Sequence, residues 1–307
     1  MTTELAIPTG FIDEAPDEPP ARPTPPRRHR PLRRRLRRVL RHVSLVVLSL
    51  VMIYPLLWLL VASFRPDELV FRDPGLRFSD LSFDNYRFGW SALAHPFSRY
   101  LLNTAVLTLG AIIGNLVSCS MAAYAFARLN FAGRRILFAV MLMTIMLPIH
   151  VIIVPQYVLF SKLGWVNTFL PLVLPKFLAT DAFFVFLMVQ FIRGIPTELD
   201  EAARIDGANH VRIFVQIILP LMVPALATTA IFTFIWTWSD FFGQLIYLTS
   251  QENYTVSLAL QSFLDASSSS DWGGMFAMSV VSLVPLFVAF LIGQRYLVQG
   301  IATTGIK

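Results

Sequence analysis

Three ionisable side chains, Lys176, Asp181 and Asp240, lie inside long apolar runs of this 307-residue chain. Within a bilayer such groups are costly unless they pair with one another or face a water-lined interior. They suit three tasks: an ion or proton relay, direct contact with a passing solute, or an internal ion pair. Lys176 and Asp181 are five positions apart, about 140° around an α-helix, so an unbroken helix keeps them from pairing. Around Asp240 stands an aromatic group, Phe232, Phe234, Trp236, Trp238, Phe241 and Phe242, with Gln244 just beyond. Ring faces beside polar groups suit stacking against sugar rings, and they equally suit core packing or an interfacial belt. Trp236, Trp238, Asp240 and Gln244 are the candidates for a solute path. The five histidines, His29, His42, His95, His150 and His210, show no metal-ligand spacing, and no Ser, His and acid arrangement can be argued.

A second concentration of polar groups is "ELDEAARIDGANHVRIFVQIILP", residues 198 to 220. Its first fifteen positions hold four acids and two arginines, in a chain only 14% charged. Thr197, after Pro196, predicts a helix start, with Asp200 completing a weak capping box. Asp200 and Arg204 stand at i,i+4 with the acid first, worth roughly a few tenths of a kcal/mol if exposed. Ala202, Ala203 and Ile205 make a small-residue face able to seat in a groove on another protein. Gly207 supplies the permissive backbone of an elbow. Beyond it, Val211, Phe214, Val215 and Ile218 recur at helical intervals and lead into the next apolar run. The segment reads as a helix-turn-helix bracket, either a lever or a solvated connector.

The elements that must position these groups are membrane spans. The chain is 55% hydrophobic and its mean hydropathy is +0.62, which points to a bilayer. Six apolar runs, residues 42 to 64, 101 to 127, 136 to 160, 169 to 192, 217 to 248 and 276 to 297, are each long enough to cross a hydrocarbon core of about 30 Å. The fifth, roughly 48 Å as a straight helix, is expected to tilt, to bend at Pro220 or Pro224, or to emerge from the membrane. Ten of the 25 basic residues are arginines within the first 41 positions. Beside the first span they act as a topogenic signal and touch anionic membrane lipids, and no nucleic acid is expected as a partner. The first outer loop balances five arginines against five acids, and the third, with Glu252, Asp265 and Asp271, has no base. Both termini and the bracket are therefore expected in the cytoplasm.

Residues 1 to 31 hold eight of the twenty prolines and are expected to be disordered; Leu32, Leu36 and Leu40 then recur on one helical face. The first run is too deep and too long for a signal peptide and lacks a small-residue cleavage site, so it is expected to be an uncleaved anchor. Cys119, the single cysteine, excludes an intrachain disulfide. Gly110 and Gly114 form a GxxxG pair that permits close helix contact. The expected fold class is all-α, a polytopic membrane protein of six transmembrane helices with a cytoplasmic helix-turn-helix loop. Its expected parts are a Pro/Arg-rich tail, 1–41, a transmembrane domain, 42–298, with the bracket at 197–216, and a C-terminal tail, 299–307.

The bracket resembles the loop signature of the integral membrane subunits of binding-protein-dependent ABC importers, EAA, then DGA, then a spaced Phe, Ile and LP. Glu201, Ala202, Ala203, Asp206, Gly207, Ala208, Phe214, Ile217, Leu219 and Pro220 fall in register. "MAAYAFARLNFAGRR" at 121 to 135, "PALATTAIFTFIWTWSDFF" at 224 to 242 and the end "GQRYLVQGIATTGIK" are similar to the carbohydrate-importer branch, its maltose-permease G-type subunits. The likeness covers about residues 45 to 307. One departure is Ser239, where the family often has Asn.

The resemblance implies that residues 197 to 216 are coupling helices that dock into a cleft on a cytoplasmic ATPase subunit. Glu201 would pair with a basic residue there, Gly207 would permit the turn, and Ala202, Ala203 and Ala208 would allow close approach. The C-terminal "GIATTGIK" would also reach the ATPase pair. No GxxxxGK[ST] phosphate loop occurs in this chain, so ATP and Mg are expected on the partner ATPase, with no cofactor and no catalysis here. The implied assembly adds a second homologous permease subunit, two ATPase subunits and an extracytoplasmic solute-binding protein in a bacterial plasma membrane. It would move a carbohydrate or related small molecule by switching between inward- and outward-facing states. The alternative is an ion-coupled secondary transporter built on the intramembrane acids, against which no inverted repeat is visible.

Overall fold

The computed structural model describes residues 32–72, 75–76, 81–264 and 271–302, and every regular element among them is helical. The expected disordered segment 1–31, Asp265 and the last five residues lie outside the described residues. The chain divides into two units, Met1–Ile53 and Tyr54–Lys307. Helix α1, Leu32–Ala62, begins ten residues before the expected boundary at 41/42, so the described end of the Arg-rich segment is helical rather than tail. In the first unit the side chains from Val39 to Ile53 are exposed, as suits a helix whose apolar surface is solvated by lipid.

In the second unit, α2 (Asp67–Arg72) and α3 (Asp84–Ser91) precede α4 (Phe97–Arg128). Helix α4 has 32 residues and no proline, hence no internal reason to break. Next come α5 (Arg134–Thr144) and α6 (Ile149–Lys162), then α7 (Leu170–Val173), a 3-10 turn at Leu174–Leu178, and α8 (Ala182–Arg193). The bracket comprises α9 (Glu198–Ile205), α10 (His210–Ile213), a π turn at Phe214–Ile218 and α11 (Leu219–Leu221). The chain finishes with α12 (Val223–Trp238), α13 (Phe242–Tyr247), a 3-10 turn at Gln251–Asn253, α14 (Val256–Ser262) and α15 (Trp272–Ala302).

Four stretches, 37–62, 97–128, 170–193 and 272–295, are long and apolar enough to span, and two bent pairs bring the count to six. The bend of 74° between α11 and α12 falls at Met222, between Pro220 and Pro224, one of the three outcomes expected from the length of the fifth run. The bend of 102° between α5 and α6 is a departure from the continuous third run expected. Pro148 causes it: lacking an N–H and disfavouring the α region at Leu147, it closes one helix and opens the next.

Helix α4 organises the packing. Gly110, Gly114 and Ser118 form a strip four residues apart. A Cβ on Gly110 would meet Val173 Cγ1 at 2.9 Å, and one on Gly114 would meet Phe177 Cδ2 at 2.8 Å and the Lys176 backbone at 3.0 Å. Ser118 Oγ donates to the Lys176 carbonyl at 2.6 Å. Where lipid removes the hydrophobic drive between helices, small residues and such hydrogen bonds supply the association. Toward the other end of α4, Asn103 Nδ2 donates to the Glu252 and Tyr254 carbonyls at 2.9 and 2.8 Å, and Thr104 Oγ1 accepts from Val256 N–H at 2.9 Å. At the start of α15, Asp67 accepts from Gly273 N–H and Asp271 from Gly274 N–H. Burial raises the Asp67 carboxyl above its ordinary range, and the neighbouring Asp271 charge adds to the rise.

Candidate functional site

The bracket is built by local rules that end one helix and start the next within four residues. At the C-terminus of α9, Gly207 takes φ of +81°, its N–H donates to the Arg204 carbonyl at 3.0 Å, and Ala208 N–H donates to the Ala203 carbonyl at 2.9 Å. This pair of bonds is a Schellman motif, and the left-handed position is one that glycine fills without steric cost. Asn209 then caps α10, its Oδ1 accepting from Arg212 N–H at 2.8 Å. The elbow at Gly207 is where the sequence put it. The Asn209 cap went unread, although Asn before a run at helical spacing is a recognisable start signal.

The inward side of the bracket differs from expectation in three ways. Thr197 occupies the N-cap position of α9 without a side-chain capping bond, and the Asp200 N–H donates to its carbonyl at 3.0 Å. Asp200 instead forms a salt bridge with Arg128 at the end of α4, Nε to Oδ2 3.0 Å, with only 6% and 4% of the two side chains exposed. The carboxylate is therefore spent on Arg128 rather than on Arg204. Second, Ala203 is buried in the core of Tyr124, Phe184, Met188 and Ile192, and Ala208 packs against the same core. Ala203 thus lets the bracket approach its own spans, which corrects its assignment to a partner's groove, while Ala208 stays half-exposed. Phe214 also faces inward, its ring 5.2 Å from Tyr124. Third, the buried stripe of the second arm is Ile213 and Ile218, while Val211 and Val215 are exposed. Five residues would diverge by about 140° on an α-helix, but the π turn lengthens the repeat and brings both onto one side.

On the outward side, Glu201, Ala202, Ile205, Asp206 and Gly207 are all exposed, as is Pro220 further along. Ile205, at 86% exposure, is the most exposed large apolar side chain among the described residues. Two exposed acids, Glu201 and Asp206, and the small Ala202 lie close to this apolar tip in sequence.

The second site is a polar cluster within the spans. Lys176 and Asp181 do pair, Nζ to Oδ2 2.9 Å and to Oδ1 3.1 Å, contrary to expectation. The helical premise fails there: the 3-10 turn ends at Leu178, Ala179 takes φ of +53°, and α8 restarts after Asp181, so the chain folds the carboxylate back toward the ammonium. Asn115 Nδ2 on α4 donates to Asp181 at 2.7 Å and to Thr233 on α12 at 3.1 Å, so that the pair ties three spans together. Irregular backbone at membrane depth occurs where protein or a watery cavity satisfies it; the Lys176 and Asp181 side chains are 29% and 27% exposed. Asn115 and Thr233 escaped the sequence reading, since a lone amide or hydroxyl inside a span has no pattern.

The four solute-path candidates separate. Trp238 is buried, its indole N–H donates to the Ser282 carbonyl at 3.1 Å, and its ring stacks on Phe234 at 5.2 Å. Gln244 is fully buried, donating to the Thr237 carbonyl at 3.0 Å and accepting from Thr255. Both are internal struts, and their polar groups are already engaged. Trp236 is half exposed against Phe183 and Phe184. Asp240 accepts from Gly243 N–H at 3.1 Å and lies within the electrostatic reach of Lys176. Ser239 donates its hydroxyl back to the Ile235 carbonyl.

Residues 114–303 match the family model described as the binding-protein-dependent transport system inner membrane component. The chain is 30% identical over 272 residues to the trehalose/maltose transport system permease protein MalG of Thermococcus litoralis, covering 89% of this chain and 98% of that one. It is 33% identical to the arabinooligosaccharides transport system permease protein AraQ of Halalkalibacterium halodurans, covering 86% and 95%. In fold it is similar to a chain of a bacterial ABC transporter involved in the import of the acidic polysaccharide alginate, with a TM-score of 0.77, 22% identity and coverage of 87% and 98%. With that agreement along the spans and the bracket, the chain belongs to the family of inner membrane components of binding-protein-dependent transport systems.

Proposed function

We propose that this multi-pass permease subunit carries a carbohydrate or related solute through the membrane of an ATP-driven importer, and that α9 is its docking helix for an ATPase subunit. The observation that carries the reading is the two-sidedness of α9: Asp200 and Ala203 are buried against the spans while Glu201, Ala202, Ile205 and Asp206 are exposed. A helix held on one side and bare on the other suits a load-bearing contact, and an exposed acid beside an apolar tip fits a basic-rimmed cleft. The working complex would add a second homologous permease subunit, two ATPase subunits binding ATP and Mg, and an extracytoplasmic binding protein, with both termini of this chain cytoplasmic. Carbohydrate is favoured by the names of the relatives above and by the half-exposed ring of Trp236, which suits stacking on a sugar ring. Asp240, Lys176 and Asp181 would line the same path. The ion-coupled alternative loses its main support, since the Lys176 ammonium and the Asp181 carboxylate are engaged with each other.

The test is uptake in proteoliposomes holding the complete complex, with and without internal ATP. Uptake is expected only with ATP, and Glu201→Lys is expected to abolish retention of the ATPase while the subunit still inserts. Transport that persists without ATP and follows an ion gradient would overturn the reading.

A further inference from the structure

We infer that the Arg128–Asp200 pair is the joint through which movement of α9 is delivered to α4, with both side chains acting as positioning residues for coupling. The inference rests on the ATPase-docking reading of α9 and goes beyond it, because neither residue lies on the exposed docking face. Asp200 immediately precedes Glu201 in sequence but occupies the other side of α9, buried on Arg128 at 3.0 Å.

Arg128 grips the bracket at two points. Its Nε meets Asp200 on α9, and its Nη2 donates to the Ile195 carbonyl at 2.6 Å, just where the chain leaves α8 for α9. One turn earlier on α4, Tyr124 packs its ring on Phe214 in the second arm. The last turn of α4 therefore holds both arms and the entry of the bracket. An isolated helix of eight residues is marginal, so these tertiary contacts decide the pose of α9.

The other end of the linkage is equally definite. Helix α4 continues without proline to Asn115, 13 residues and roughly 20 Å from Arg128. There Asn115 holds Asp181 and Thr233, and through Asp181 the Lys176 ammonium at the break in the fourth span. A push on α9 that reaches Arg128 is thus carried along one rigid helix to the polar cluster between three spans. A buried ion pair is a poor source of net stability but a specific and stiff connection, because opening it leaves an uncompensated charge.

The test uses the complete complex reconstituted with its ATPase and binding-protein partners. Asp200→Asn keeps the shape and removes the charge. The ATPase is expected to co-purify as before, while ATP turnover stimulated by loaded binding protein falls about tenfold, within the usual range of allosteric couplings. Asp200→Glu is expected to recover stimulation to within about twofold of the natural protein. Arg128→Gln combined with Asp200→Asn is expected to be no worse than either change alone, since all three remove the same joint. Full stimulation in Asp200→Asn, additive losses in the double variant, or loss of ATPase retention in Asp200→Asn would each overturn the inference. A failure of the docking reading itself shows separately, as undiminished ATPase retention in Glu201→Lys.

Discussion

Gly207→Ala isolates the contribution of backbone conformation at the elbow. Gly207 takes φ of +81°, and a Cβ added there meets no atom within 4 Å, so the substitution introduces conformational strain without a clash. A left-handed L-residue costs about 1–2 kcal/mol, and about 1.4 kcal/mol is a factor of ten in an opening equilibrium. The strain falls on two bonds, Gly207 N–H to the Arg204 carbonyl at 3.0 Å and Ala208 N–H to the Ala203 carbonyl at 2.9 Å. Local opening of this kind is read by amide hydrogen exchange in nanodiscs. Protection at Ala208 is expected to fall about tenfold in Gly207→Ala, less in Gly207→Asn, and more in the β-branched Gly207→Val. Amides of α4 and α8 should keep their protection in all three. Equal protection in Gly207→Ala and the natural protein, or no difference between Asn and Val, would refute the backbone argument and assign the elbow's stability to packing.

Three further outcomes are expected. Lys176→Met should lower the thermal midpoint in detergent more than Lys176→Met with Asp181→Asn, because the single change leaves a carboxylate facing only Asn115; with both side chains more than a quarter exposed, the difference should be about 1 kcal/mol, and strictly additive effects would contradict the pairing. Gly114→Val should cost about 1–3 kcal/mol by overpacking, since its Cβ would start 2.8 Å from Phe177 and 3.0 Å from the Lys176 backbone; an unchanged unfolding midpoint would show that the 3-10 turn can move aside. Asp67 has a raised carboxyl, so the folded state favours its protonated form and loses stability as pH climbs from the ordinary value near 3.8 through the raised one. Asp67→Asn should therefore raise the midpoint at pH 7 and flatten its dependence on pH between 4 and 7, its amide donating to the buried, unpartnered Oδ2 of Asp271; a lower midpoint at pH 7 would count against this.

The spans, the elbow and the bend near Met222 were legible in the sequence because each rests on local rules: apolar run length, the left-handed tolerance of Gly207, and the lost N–H groups of Pro220 and Pro224. Pro148 carried the same kind of signal for the break between α5 and α6, and an unbroken apolar run masked it. The candidate docking face was legible as a motif, but its two sides were not. Helical spacing gives relative phase, and only an anchor such as Arg128 sets which of Ala202 and Ala203 faces outward.

By itself, then, the amino-acid sequence determined a helical membrane chain with a charged helix-turn-helix at Gly207 and a family signature within it. Tertiary structure alone decided the partners of the charges. Arg128 and Asp200 are 72 positions apart, Asn115 and Asp181 are 66 apart, and even Lys176 and Asp181 meet only because α4 seats a 3-10 turn that breaks the helix between them. Run length, capping and backbone preference act within a few residues, whereas the pairing of buried charges depends on which helices are neighbours.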